Sequence, residues 1–147
     1  MKSEPTEYSI ADLKADLVAC WDGVRNYQAR NFLRDALQIG DRVLFYHSGV
    51  EPIGIAGEAK VIKRGYPDSS GWNPQDKHYD PKASANHPIW FRVDIRFLRA
   101  CREIITLSRL RTIPSLKKME ILKRGNRLSV SPLTEEEYKT ILTLPEW

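Results

Sequence analysis

The chain has 147 residues, an ordinary length for one compact domain, and it is 41% hydrophobic and 29% charged with a formal net charge of +4. This balance supplies one hydrophobic core and excludes a disordered chain. No stretch approaches the roughly 20 apolar residues that span a bilayer, and no signal-peptide pattern opens the chain, so we expect a cytoplasmic protein without a membrane partner.

Two helices are predicted in the first 40 residues. Ser9 begins the first helix, and Asp12 completes its capping box. The second helix follows the N-cap Asn26, runs over residues 27–38 and stops before Gly40. The apolar positions that recur at helical spacing are Ile10, Leu13 and Leu17 in the first helix and Phe32, Leu33, Ala36 and Leu37 in the second.

The centre of the chain favours β-strands. Two compact runs, 42–47 and 53–62, come first, and the second contains glycines that are typical of bulges or sharp bends. Residues 89–98 alternate between apolar and polar side chains, which is the pattern of a half-buried strand. Residues 1–3 and 128–131 are expected to form two shorter strands.

A proline-rich segment, residues 65–88, separates the central strands and shows no periodicity. A loop of this length in a compact domain is typical of a functional or mobile element. Near the end of the chain, Thr134 and Glu137 fit the capping box of a helix that runs to Leu144.

The order of elements predicts the fold class. Helices, then strands, then a helix is not a βαβ alternation, so a parallel sheet is not expected. The pattern favours a single α+β domain over residues 1–147, built as a small, partly open β-barrel of mainly antiparallel strands with peripheral helices.

Signatures of catalysis and of metal binding are absent from the sequence. It contains no glycine-rich phosphate loop, no GxSxG elbow and no HExxH helix. None of the three histidines has a partner at a metal-site spacing, so we expect no metal and no cofactor. His47 and Ser48 are neighbours on a predicted strand and point to opposite faces, which is poor placement for a base and a nucleophile.

Aromatic and amide side chains occur where packing does not demand them. Trp21 precedes an Asp-Gly turn signal, and Asn26 opens a helix start that is crowded with polar groups. An amide reads the edge of a base and an aromatic ring stacks on its face, where stacking contributes about 1–3 kcal/mol per base. A core position for Trp21 and a simple N-cap role for Asn26 are the alternatives.

The basic charge is concentrated late in the chain. Residues 96–127 contain ten basic side chains and two acidic ones. Such a cluster attracts a polyanion and releases its counterions, although it is also compatible with a solvated face that has no partner. The candidate contacts to a nucleic-acid backbone are Arg109, Arg111, Lys117, Lys118, Lys123, Arg124 and Arg127.

Several stretches resemble the EVE domain family. The similar segments are MKSEP at 1–5, WDGVRNYQARN at 21–31, FYHS at 45–48, GIAG at 54–57, YDPK at 79–82, and Trp90 with Val93 and Asp94. They run in the family's order from residue 1 to about 98, and the GVRNYQARN stretch is specific. The resemblance implies a PUA-like barrel related to YTH domains. It also implies a pocket for a modified nucleobase flipped out of its strand, at a cost of a few kcal/mol.

The resemblance also implies positions in that pocket. It implies that Trp21 forms a stacking wall, that Asn26 reads the base edge, and that Tyr79 of the long loop closes over the ligand. The remaining positions form three groups, an edge at Lys2, Ser3 and Glu4, a rim at Tyr27, Arg30 and Asn31, and a far side at His47 and Ser48.

Three functions are open at this level. The first is non-catalytic binding of a modified base in DNA or RNA by a module that is expected to be monomeric. The second is an enzyme that acts on a modified nucleotide, with Glu4 or His47 as the acid–base group. The third is a small-metabolite or protein-interaction module, for which binding would lack the steep salt dependence of phosphate contacts.

Overall fold

The computed structural model describes residues 1–147 and contains one five-stranded sheet with the strand order β1-β3-β4-β5-β2. The strands are β1 (Lys2–Ser3), β2 (Val18–Trp21), β3 (Arg42–His47), β4 (Gly54–Pro67) and β5 (Phe91–Thr106). Neighbouring strands are antiparallel except β1 and β3, which pair in parallel. The sheet is mainly antiparallel, as predicted, and its one parallel pair is possible because the connection from β1 to β3 is long enough to form a crossover.

The sheet is open, so the expected barrel is not confirmed. Strands β1 and β2 lie at its opposite edges and do not pair with each other. The fold class is a mixed α+β domain, as predicted. No helix combines the length and the apolar character that crossing a membrane requires.

The predicted helix starts are confirmed. The helices are α1 (Ile10–Asp16), α2 (Tyr27–Asn31), α3 (Leu107–Arg111) and α4 (Glu135–Leu142). Ser9 and Thr134 each form a complete capping box, and α2 continues as a π-helical turn over Phe32–Ala36. Leu17 was predicted to lie on the apolar face of α1, but it is 61% exposed. The reason is that this residue has a φ of 62° and ends the helix.

Two strand predictions were wrong. Strand β2 was not predicted, because four residues directly after a helix are too few to show an alternation. Residues 128–131 do not form a strand; the carbonyl of Ser129 accepts one hydrogen bond from the N–H of Lys2 at 2.7 Å. The glycine bulges were predicted correctly, since the register of β4 shifts between Ile55 and Gly57.

Hydrophobic clusters cover both faces of the sheet, because successive residues of β3 point to opposite sides. We call the side of Phe45 the inner face, where α1, α2 and Trp21 pack in a cluster of 12 buried residues. We call the side of Leu44 the outer face, where eight buried residues include Leu110 of α3 and Ile141 of α4.

Candidate functional site

The pairing of β1 with β3 brings distant site residues together. Ser3 lies opposite His47, and the N–H of Ser48 donates to the carbonyl of Ser3 at 2.9 Å. The hydroxyl of Ser3 donates to the carbonyl of Tyr8 at 2.7 Å and holds the connection to α1. Ser3 and Ser48 are 45 positions apart in the sequence, so the predicted edge and far side of the site become neighbours through the sheet alone.

Lys2 and Glu4 flank this pair, and only the side chain of Lys2 is hydrogen-bonded within the protein. The ammonium of Lys2 donates to the carbonyl of Asn126 at 3.0 Å, and burial lowers the pKa of Lys2 below its usual range. The carboxylate of Glu4 forms no hydrogen bond or ion pair within the protein, and it rests beside Gly49, where a Cβ would lie 3.0 Å from Glu4 Cγ. Glu4 is therefore available to a ligand, whereas Lys2 joins the site to the basic segment.

His47 is held as a neutral imidazole. Its side chain is buried, and Nε2 accepts the N–H of Ile10 at the start of α1 at 3.0 Å. Burial lowers the pKa of His47 below 6.5. Protonation of Nε2 would also remove the acceptor of the Ile10 N–H. Because Nε2 is engaged in this way, only Nδ1 remains for a ligand.

Trp21 lies largely within the inner core. It is 8% exposed, and its ring meets Phe45 edge to face with centroids 5.5 Å apart. Phe45 in turn meets His47 edge to face at 5.7 Å, so three rings form a continuous row beneath the site. The core position that the sequence left as an alternative is observed, and a stacking role for the exposed part of Trp21 stays a prediction.

Asn26 combines a structural contact with free donors. Its Oδ1 accepts the N–H of Ala29 at 3.0 Å and caps α2, as predicted. Its Nδ2 donates to no atom of the protein, and the residue is exposed. The amide can therefore present two N–H donors to a ligand without loss of the helix cap.

The predicted rim is built around a tryptophan that sequence reasoning did not place in the site. The ring of Tyr27, which is 54% exposed, packs on Trp90 with centroids 4.9 Å apart. The guanidinium of Arg30 lies 5.0 Å from the Tyr27 ring and donates to the carbonyl of Ile89 at 2.7 Å. Asn31 accepts from Arg30 Nε at 2.9 Å, so the three rim residues form one connected group.

An ion pair between the partly buried Arg25 and the buried Asp68 fixes the long loop to the turn after Trp21. Arg25 donates to Asp68 at 2.8 Å, to Ser70 at 2.8 Å and to the carbonyl of His78 at 2.6 Å. Burial alone would raise the pKa of Asp68, but hydrogen bonds from Arg25, Ser70 and the N–H of Gly23 outweigh it and hold that pKa below 3.8. Sequence reasoning missed this pair, and its one signal was the position of Arg25 within the GVRNYQARN stretch.

Tyr79 stands on this attached loop and is 43% exposed. Its N–H donates to the carbonyl of Asp76 at 3.0 Å. Lys77 forms an ion pair with Glu7, and Trp90 Nε1 donates to Asp80 at 2.9 Å. These contacts join the loop to the β1–α1 connection and to the start of β5, so Tyr79 is held near both. Closure of Tyr79 over a ligand stays a prediction.

The basic segment is divided by the structure. Its basic residues are all exposed. Arg109 pairs with Glu146 at 3.2 Å and Lys123 pairs with Glu120, which reduces their capacity to bind phosphate. The part of the segment at 124–127 lies next to β1, because Lys2 contacts Asn126 and Ser129. Of the seven candidate backbone contacts, the five without an ion pair are Arg111, Lys117, Lys118, Arg124 and Arg127.

An apolar cavity lies apart from these residues. A mainly apolar hollow of about 490 Å³ lies between β3 and the C-terminal elements, where Leu44, Tyr46, Met119, Leu133 and Tyr138 contribute to its lining. It contains none of the predicted site residues. The structure also contains no cluster of three or more His, Cys, Asp or Glu side chains that could hold a metal ion.

The fold and the site together define a small α+β domain with candidate ligand-binding groups at two places, the β1–β3 edge with Glu4 and His47, and the start of α2 with Asn26 and Tyr27. A family model described as the EVE domain matches residues 1–144, and the chain belongs to this family. The resemblance seen in the sequence is therefore confirmed.

Relatives with this fold come from bacteria and from animals. The chain is 42% identical to human thymocyte nuclear protein 1 over 99% of its own length and 72% of that protein. A crystal structure from Pseudomonas syringae superposes with a TM-score of 0.93 at 43% identity and covers 97% of this chain and 95% of the other. Human THYN1 in complex with DNA that contains 5-methylcytosine superposes with a TM-score of 0.89 at 42% identity, over 97% and 93% of the two chains.

Proposed function

We propose that this protein binds nucleic acid that carries a modified base and holds that base, flipped out of its strand, beside Asn26, Glu4 and the β1–β3 edge. The observation that carries the proposal is the complex of human THYN1 with 5-methylcytosine DNA, since that protein shares this fold at 42% identity. DNA with a methylated cytosine is accordingly the first ligand to test.

The free polar groups match the edge of a cytosine. The ring offers acceptors and an exocyclic amine, and the Nδ2 donors of Asn26 complement an acceptor while the unpaired carboxylate of Glu4 complements the amine. The exposed rings of Tyr27 and Tyr79 provide stacking surfaces. Stacking at about 1–3 kcal/mol per base, together with these hydrogen bonds, offsets the few kcal/mol that flipping costs.

Binding without catalysis has more support than an enzymatic role. The proposed acid–base group His47 uses Nε2 to accept the N–H of Ile10, so this nitrogen is not available for proton transfer. Ser48 donates its N–H to the carbonyl of Ser3, and its hydroxyl donates to the same carbonyl at 3.4 Å, so the hydroxyl is not hydrogen-bonded to a base.

The test uses Asn26→Ser and Asn26→Ala in calorimetric titrations with 5-methylcytosine and unmodified oligonucleotides. Serine retains an N-cap acceptor but has no amide donors, so Asn26→Ser is expected to bind the 5-methylcytosine oligonucleotide more weakly with little change in stability. Alanine also loses the cap, and Asn26→Ala is expected to be less stable by about 1 kcal/mol.

Two results would contradict the proposal. Equal affinity of the unaltered protein for the two oligonucleotides would remove the modified base as the ligand. Undiminished affinity of Asn26→Ser for the 5-methylcytosine oligonucleotide would remove Asn26 as the group that reads the base edge.

A further inference from the structure

The outer face of the sheet is covered over only part of its area. The cluster around Leu44, Tyr46 and Ile105 covers the end nearest His47. Towards the other end, Val18 is 41% exposed and Arg96 is exposed beside it. This uncovered part carries the basic residues Arg42, Lys60, Lys63, Arg92 and Arg96, which we call the basic band.

Like charges lie side by side in the band. Arg42 is the cross-strand neighbour of Lys60, and Lys60 is the cross-strand neighbour of Arg96. Arg42 pairs with Glu58 at 3.3 Å, but neither Lys60 nor Arg96 has an acidic partner. Directly opposed like charges destabilise a sheet, so the row Arg42-Lys60-Arg96 is a cost to folding that a bound polyanion would relieve.

Tyr66 holds two further cations over the same face. The ammonium of Lys63 lies 3.7 Å from the centre of its ring, and the guanidinium of Arg92 lies 4.8 Å from it. The hydroxyl of Tyr66 donates to Asp94 at 2.5 Å and thereby engages the acidic residue in the middle of the band. Stacking on Tyr66 positions both cations. Lys63 has no ion pair with a carboxylate, whereas Arg92 also pairs with Asp22 and its Nε is buried without a hydrogen-bond partner.

The band leads towards the proposed base site. At its end, Arg92 approaches Asp22 at 3.6 Å. A polar hollow of about 310 Å³ opens there, with Ser70 and Asn73 of the long loop in its wall. The hollow also contains Asp22 and Asp76, and Asp22 begins the turn that continues to Asn26. The band therefore ends next to the turn that carries the proposed base-reading residue.

We propose that the basic band binds the phosphate backbone of the nucleic acid whose modified base occupies the proposed site. The inference rests on the proposed function for the identity of the ligand. It places backbone contacts on the sheet, in addition to the C-terminal basic segment in which two of seven residues are already paired with carboxylates.

The dimensions of the band suit a nucleic-acid strand. Arg92 and Arg96 are four residues apart on β5, which is about 13 Å at strand spacing. Arg42 and Arg96 are two strands apart, which is about 10 Å. One strand of a duplex carries a phosphate every 3.4 Å or so along the axis, so the longer dimension faces about four phosphates. The band presents no exposed large apolar side chain except Val18, which argues against insertion into a lipid surface.

The test compares the double variant Lys60→Gln/Arg96→Gln with Lys139→Gln, whose lysine is exposed on α4 and pairs with Glu135 of its own helix. Affinity for modified and unmodified oligonucleotides is measured over a range of salt concentrations. The double variant is expected to bind both oligonucleotides roughly tenfold more weakly at moderate salt, with a salt slope reduced by about two. Lys139→Gln is expected to match the unaltered protein.

The modified-to-unmodified affinity ratio and the thermal midpoint complete the experiment. Both the ratio and the fold are expected to survive in the double variant, and its midpoint should stay level or rise because a like-charge contact is removed.

Unchanged affinity and slope in the double variant would overturn the inference even if the unaltered protein prefers the modified base. The unaltered protein could instead bind modified and unmodified oligonucleotides equally, while the double variant still shows weaker binding and a smaller salt slope. That result would overturn the proposed function and leave the band as a backbone site. Binding to phosphatidylserine vesicles that depends on Lys60 and Arg96, with no change in oligonucleotide affinity, would also overturn the inference.

Discussion

The contact between Gly23 and His78 determines how the long loop meets the turn after Trp21. Gly23 has a φ of 71°, in the left-handed region, and a Cβ built on it would lie 2.8 Å from His78 Cε1 and Nε2. Gly23→Ala therefore introduces backbone strain and a steric clash at one position. Gly125 is a matched control, because its φ is 77° and nothing lies within 4 Å of a Cβ there.

The expected magnitudes follow from these two terms. The left-handed conformation costs a non-glycine residue about 1–2 kcal/mol, which is the whole cost expected for Gly125→Ala. Displacement of the packed His78 ring adds about 1–3 kcal/mol for overpacking. We therefore expect Gly23→Ala to lower the free energy of unfolding by about 2–5 kcal/mol.

Urea unfolding measures these differences, and a second background isolates the clash. In His78→Ala the ring is absent, so adding Gly23→Ala to that variant is expected to cost no more than Gly125→Ala costs in the unaltered chain. Gly23→Ala should also weaken the preference for the modified oligonucleotide, since the loop that carries Tyr79 is displaced. Equal costs for Gly23→Ala and Gly125→Ala would refute the packing of His78 on Gly23.

Two further predictions concern stability and pH. Asp68→Asn removes the counter-ion of Arg25, whose side chain is 20% exposed, so we expect a loss of at most about 3–5 kcal/mol, the value for a fully buried pair, in urea unfolding at pH 7. Because the folded-state pKa of Asp68 lies below 3.8, its stabilisation is complete above about pH 4 and is lost as the pH falls through the folded pKa, so Asp68→Asn should lack this acid limb. Burial holds the pKa of His47 below 6.5, so the unfolded chain takes up the proton first and stability should fall as the pH drops below about 6.5. His47→Gln, whose amide oxygen can still accept the N–H of Ile10, should flatten that decline, and parallel pH profiles would contradict the role of His47.

Local signals in the sequence were sufficient for the elements whose ends are set by neighbouring residues. Ser9 and Thr134 were predicted as helix starts, because a capping box is completed within four residues. The bounds of β3 were predicted without error, since a compact β-favouring run is flanked by turn residues on both sides. The ends of β4 and β5 were not, because both strands continue through bulges that interrupt the alternation.

The candidate site was predicted only in outline. Residues near one another in sequence, such as Asn26 and Tyr27, were recognised from their local crowding and from the family resemblance. Trp90, Arg25 and Asp68 were missed as parts of the site, because their roles depend on partners about 40 or more positions away. A buried aspartate after a strand gives no local sign that an arginine will reach it.

The sequence by itself determined the α+β class, the helix caps, the alternating strand and the membership of the EVE family, since each of these depends on residue types at short and regular spacing. Only the tertiary structure decided that the sheet is open, that β1 pairs in parallel with β3, and that Trp21 lies mainly in the core. It also decided which cations remain free, because the neutralisation of Arg109 by Glu146 and the exposure of Arg96 on an uncovered sheet face are consequences of long-range packing. Composition determines the net charge of a segment, whereas a phosphate-binding surface depends on which basic side chains the fold leaves without an acidic partner.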